Sequence, residues 1–120
     1  MHRICLFCGS STGTNPAYTL TAQVIGKELA RRKIDLVFGG GAIGLMGVVA
    51  NAVLSGGGHV IGVIPKSLAA RDIAHQGLSD LRIVNSMHER KALMSSLADA
   101  FIALPGGFGT FEEFCEALTW

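Results

Sequence analysis

The stretch Pro105-Gly106-Gly107-Phe108-Gly109-Thr110-Phe111-Glu112-Glu113 decides how the rest of the chain is read. An apolar run ending at Leu104 precedes it, and an apolar-periodic segment reaching Trp120 follows it, so the stretch reads as the end of a strand, a glycine turn and the start of a helix. Gly106, Gly107 and Gly109 leave main-chain N–H groups bare. Thr110 adds a hydroxyl at the positive end of the helix dipole, an arrangement that suits a phosphate. Thr110-x-x-Glu113 is equally a capping box, in which the two side chains satisfy the free N–H groups of the first helical turn. The spacing leaves both readings open.

Working outward, apolar runs of strand length alternate with longer periodic segments, the pattern of βαβ units around a parallel sheet. Strands are expected at Arg3–Cys8, Ile34–Phe38, His59–Ile64, Leu81–Asn85 and Ala100–Leu104. Asn15-Pro16 opens a first helix whose stripe is Tyr18, Ala22, Ile25 and Leu29, and Gly44 to about Leu54 forms a second. Gly56-Gly57-Gly58 is the turn after it. Lys66–Asp80 has no clear period and is expected to be a loop with one helical turn, and a further helix opens at Met87. The expected fold is α/β: a Rossmann-like, doubly wound parallel sheet in three layers, one nucleotide-binding domain over residues 1–120. In such sheets ligands sit beyond the carboxyl ends of the strands. Gly9-Ser10-Ser11, Gly39–Gly41, Asn85-Ser86 and Gly106–Thr110 all fall there.

Composition narrows the function classes. The chain has 120 residues, 49% of them hydrophobic and 16% charged, enough for one core. A net charge of +1 supplies no basic field for nucleic acid, and no apolar run has the length of a membrane span. No signal peptide is recognisable, and three cysteines, an odd number, suit a reducing compartment, so a cytoplasmic location is expected. Cys5-x-x-Cys8 places its thiols on opposite faces of a strand, which rules out a shared metal, and Cys115 falls on an apolar helical stripe. His2, His59 and His75 are scattered without metal-ligand spacing; no metal and no cofactor are expected.

Two clusters remain. Gly39-x-Gly41-x-x-Gly44 has the form of a dinucleotide fingerprint, but it follows the second strand, and Ile64-Pro65-Lys66 stands where an acid should meet a ribose. Close helix packing aided by Gly47, and approach of a nucleotide to bare backbone at Gly40 and Gly41, are both open. Arg90 and Lys91 put cations in the first turn of a helix, against its dipole, at about 0.3–1 kcal/mol each. Arg90 shares a side with Leu93, Met94 and Leu97, which places it at the crevice end of the sheet-facing stripe and favours an anion-binding role over a surface pair with Glu89 or Asp72. His88 is expected to orient neighbours or face solvent.

The nine residues from Pro105 match every fixed position of PGGxGTxxE, and with Met87-His88-Glu89-Arg90-Lys91 and the glycines of Phe38–Gly47 the chain resembles the LONELY GUY family of cytokinin riboside 5′-monophosphate phosphoribohydrolases, long mislabelled as lysine decarboxylases. The resemblance runs over the whole chain, and members of that family continue past Trp120, so the C-terminal part of the family fold is expected to be missing. It implies hydrolysis of the N-glycosidic bond of a nucleoside 5′-monophosphate, with Arg90 and Glu113 catalytic. Lys91, Asp72 and Ser10 would contact substrate, together with Gly40, Gly41, Gly106, Gly107, Phe108, Gly109, Thr110, Phe111 and Glu112. Asp72 stands where plant members carry glutamate. Other readings are a general AMP nucleosidase and a non-catalytic carrier of a phosphorylated cofactor such as molybdenum cofactor. Pyridoxal chemistry is not expected, because no lysine stands in a context that selects it. A homodimer with sites near the subunit boundary is the expected assembly.

Overall fold

The short apolar run Arg3–Phe7 forms β1, and four further strands pair with it or its neighbours: β2 (Asp35–Phe38), β3 (Val60–Pro65), β4 (Asp80–Val84) and β5 (Ala100–Ala103). The structure, a computed structural model, describes residues 2–8, 16–42, 44–69, 75, 77, 78 and 80–104. All pairings are parallel and the strand order is β4-β3-β2-β1-β5. Parallel strands are covered on both faces, so their sequences read as continuous apolar runs; β3, Val-Ile-Gly-Val-Ile-Pro, is buried throughout. The edge strand β4 differs: it carries Asp80 and Arg82 and leaves Ile83 58% exposed. Charges on an edge discourage pairing with another chain.

Helices α1 (Pro16–Arg31) and α2 (Gly44–Ser55) cover one face, where Leu6, Leu36, Phe38 and Val60 meet Leu29, Leu45, Val49 and Val53. Helix α4 (Met87–Leu97) covers the other, where Cys5, Phe7, Val37, Ile61 and Val63 meet Met94. The three layers match the expected architecture. Cys5 and Cys8 lie in different clusters, on opposite faces of the sheet, as strand geometry requires. Between Lys66 and Ala69 lies α3, the single helical turn expected in that segment.

One part of the expected α1 stripe is corrected. Ala22, Gly26 and Leu29 are buried and Ile25 packs against them, but Tyr18 is 39% exposed. The buried face is narrow because α1 closes on α2 through small residues: a Cβ on Gly26 would lie 2.5 Å from the Ala52 Cβ. Past its end at Arg31 the helix is closed by Lys33, whose φ of 57° places it in the left-handed region while Ile34 N–H donates to Leu29 O at 2.9 Å.

Asp99 fastens the start of β1 to β5. Its Oδ2 accepts from His2 N–H at 2.8 Å and from Arg3 N–H at 2.9 Å, and these two bonds hold its carboxyl below the usual range. Because the folded-state pKa is depressed, the stabilisation is present above the unfolded value and is lost as pH falls through the lowered one. Wild type is therefore expected to be more stable than Asp99→Asn at pH 7, the difference starting to shrink near about pH 4 and vanishing only once pH is below the lowered folded-state value. Urea midpoints for both proteins across that range check this; a gap that persists in acid would mean that geometry, not charge, is what matters.

Candidate functional site at the carboxyl ends of the strands

The chain steps from β1 through β2 and β3 to β4 in one direction and then returns to place β5 on the other side of β1. Strand order thus reverses between β1 and β5, where doubly wound sheets open a crevice. Leu104 N–H donates to Phe7 O at 2.8 Å, so these two strands end side by side. The sequences that continue from them, Gly9-Ser10-Ser11 and Pro105–Thr110, are the glycine- and hydroxyl-rich ones. Ser10, Asp72 and the whole of Gly106–Glu113, with the helix expected from Thr110, lie outside the described residues.

Arg90 lies within the described residues. It stands in the first turn of α4, is 8% exposed, and crosses the ends of the central strands: Nε donates to Val63 O at 3.0 Å and Nη2 to Gly39 O at 2.8 Å. Its Nη1 lies 3.6 Å from Met87 Sδ. These two carbonyls orient the guanidinium in its plane and seat it at the crevice end of the sheet. The sequence placed Arg90 on the sheet-facing stripe with Met94, and both are buried. Glu89 is not its partner. That carboxylate accepts from Asn85 N–H at 2.9 Å while Ser86 Oγ accepts from Glu89 N–H at 3.1 Å, so Ser86-x-x-Glu89 caps α4. The box was readable as Ser-x-x-Glu and was missed. It also puts a carboxylate at the helix mouth, offsetting part of what the cations there cost. Lys91 is half-buried beside Arg90, and His88 is exposed.

The glycines after β2 have separate causes. A Cβ on Gly39 would sit 1.9 Å from Arg90 Nη2, so this position is kept bare by the guanidinium. Gly40 and Gly44 take φ of 77° and 69°, and a Cβ on Gly47 would lie 2.1 Å from Ala42 O. Packing and backbone conformation therefore account for four of the motif's glycines. Gly41 is different: a Cβ there would make only ordinary contacts, the nearest 3.5 Å from Met46 Sδ. Gly40 itself is buried, with its carbonyl taken by His75 N–H at 2.7 Å.

His75 is the residue that sequence reasoning set aside. Its imidazole lies 2.6 Å from Asn51 Oδ1 and accepts from Gly77 N–H, and burial pushes its pKa below the ordinary histidine value. Nothing in its local sequence signals this, since its partners are two main-chain groups and an asparagine 24 residues away. Among the described residues, no group of three or more His, Cys, Asp or Glu is placed to hold a metal, and no helix is long and apolar enough to cross a membrane.

An all-parallel, doubly wound α/β sheet with a seated arginine at the carboxyl ends of its strands defines the class. The chain belongs to the family described as possible lysine decarboxylase, whose model matches residues 46–120. It is 58% identical, over 98% of its length, to cytokinin riboside 5′-monophosphate phosphoribohydrolase LOG of Oryza sativa subsp. japonica, covering 49% of that protein. It is 56% identical to phosphoribohydrolase LOG7 of Arabidopsis thaliana, again over 98% of its length and covering 54% of that protein. The chain thus spans about half the length of the curated relatives it matches. Among solved structures, the molybdenum cofactor carrier protein of Chlamydomonas reinhardtii superposes with a TM-score of 0.84 at 21% identity, covering 98% of this chain and 71% of that one. The molybdenum cofactor binding protein of Rippkaea orientalis gives 0.82 at 20% identity, covering 99% and 72%. At these identities the likeness extends to the fold alone.

Proposed function

We propose that the protein hydrolyses the N-glycosidic bond of a nucleoside 5′-monophosphate, releasing the free base and ribose 5-phosphate, and that its substrate is a cytokinin nucleotide, adenine with an N6-isoprenoid group. The observation that carries this is the buried Arg90 guanidinium, held on Gly39 O and Val63 O beside the strand ends. Relatives named as phosphoribohydrolases and the PGGxGTxxE pattern support the same reading.

Cleavage of the bond between ribose and base builds positive charge on the sugar. Glu113 stabilises that charge and directs water to it, while Arg90 orients either the 5′-phosphate or the Glu113 carboxylate. The N–H groups of Gly107–Thr110 receive the phosphate, and Gly106, Phe108, Phe111 and Glu112 contact substrate beside them. Lys91, Asp72 and Ser10 contact substrate, and Gly41 offers backbone that a ligand can approach closely. The working form is a cytoplasmic homodimer with sites near the subunit boundary. A low proportion of charged residues, 16%, supports a covered face, and light scattering over a dilution series checks it: a monomer at micromolar concentration with full activity would defeat the shared site.

Glu113→Gln tests the chemistry. The amide keeps the shape of the carboxylate but not its charge, so turnover is expected to fall by about 10²–10³ with nucleotide affinity unchanged. The assay follows ribose 5-phosphate release from AMP and from isopentenyladenosine monophosphate. Wild type that releases none from either sinks the hydrolase reading; equal rates on both leave a general nucleosidase; full turnover by Glu113→Gln returns Glu113 to its capping role.

A further inference from the structure

Three bonds converge on His75 and join separate parts of the chain. Its main-chain N–H donates to Gly40 O at 2.7 Å, its Nδ1 accepts from Gly77 N–H at 2.9 Å, and its Nε2 lies 2.6 Å from Asn51 Oδ1 on α2. With Nδ1 acting as an acceptor, the ring proton sits on Nε2 and points at the asparagine oxygen. Both ring nitrogens are thereby engaged, and the ring has one orientation that serves them. Gly40 is the residue next to Gly39, and Gly39 O is where Arg90 Nη2 is seated at 2.8 Å. Gly40, at φ 77°, has no side chain to anchor the turn, so its carbonyl is fixed from outside, by His75. A continuous path therefore runs from α2 through Asn51, His75, Gly40 and Gly39 to the guanidinium.

We infer that His75 is a positioning residue for the proposed hydrolysis: it clamps the Gly39–Gly41 turn to α2 and so holds the carbonyl on which Arg90 sits. The inference rests on Arg90 being catalytic. A loosened turn leaves substrate contacts elsewhere intact and disturbs Arg90, whose placement counts in the transition state, so the loss falls on kcat rather than KM.

The test uses the full-length protein with His75→Leu, His75→Gln and Asn51→Leu. Glutamine reproduces the reach of Nε2–H to Asn51, whereas leucine removes both ring contacts. His75→Leu and Asn51→Leu are expected to lower kcat about tenfold, with KM for the nucleotide changed less than about threefold, and His75→Gln to recover most of the loss. Unchanged kcat in His75→Leu, or a loss that follows the fall in melting temperature with no recovery by glutamine, overturns the assignment. A second readout needs no turnover. Solvent exchange of the Arg90 Nε–H, followed by nuclear magnetic resonance, is expected to quicken in His75→Leu; exchange at the wild-type rate overturns the clamp whether or not hydrolysis is seen. Quickened exchange in a protein that releases no ribose 5-phosphate sinks the hydrolase reading and, with it, the catalytic part of the role, while the clamp itself stands.

Discussion

Replacing Arg90 by alanine is expected to lower turnover by about 10²–10³ and to destabilise the fold by about 2 kcal/mol, two effects with one origin. The guanidinium satisfies two carbonyls, Val63 O on β3 and Gly39 O just after β2, and it is buried. Alanine removes both donors. Water entering the vacated space restores part of the hydrogen bonding, which keeps the stability cost near that of one unsatisfied group rather than two. Arg90→Lys separates charge from seat: an ammonium keeps the cation but cannot reproduce the planar fork that spans two carbonyls at fixed angles. That variant is expected to fold with nearly wild-type stability and to turn over about tenfold to a hundredfold more slowly. Urea denaturation and ribose 5-phosphate release measure the two quantities. A lysine variant with wild-type turnover would show that the site needs only a positive charge there.

Most of the sheet was legible because its signals are local. Runs such as Val60–Ile64 are long enough, apolar enough and firmly enough ended by Gly58 and Pro65 that only a buried strand fits, and all five expected strands occur within a residue or so of their expected limits. The single turn of α3 and the glycine turn after α2 were legible for the same reason. Arg90 was legible in part: helical spacing put it with Met94 on the inner stripe, but its acceptors are main-chain carbonyls on β3 and after β2, and a carbonyl has no sequence signature. The cause of Gly39 was hidden for the related reason that it lies 51 residues away, in the side chain of Arg90. Gly39-x-Gly41-x-x-Gly44 looks like one motif with one purpose, yet a guanidinium, a left-handed backbone and a close carbonyl each claim a different glycine of the stretch from Gly39 to Gly47. Tyr18 failed because periodicity marks an apolar stripe, not the point along a helix where its neighbour begins to cover it.

Gly39→Ala is expected to reproduce much of the Arg90 defect without touching Arg90. Its backbone is not in the left-handed region, so alanine is compatible with the main chain, and the conflict is confined to the side chain opposite. The new Cβ would stand 1.9 Å from Nη2 and 3.0 Å from Cζ, distances that no pair of such atoms sustains. Since Nη2 is the far end of a long side chain, the arginine yields and the main chain does not. The guanidinium is pushed off Gly39 O, and turnover is expected to fall about tenfold to a hundredfold while stability drops by about 1.5–3 kcal/mol, the range for a hydrogen bond to a charged group. The decisive measurement is the double variant. With Arg90→Ala the space that the Cβ needs is already empty, so adding Gly39→Ala should leave turnover where Arg90→Ala alone put it, a strongly non-additive cycle of the kind that residues sharing one contact give. Losses that multiply would mean that Gly39 serves the site by a route other than Arg90. Wild-type turnover in Gly39→Ala would mean that the guanidinium works equally well from another seat.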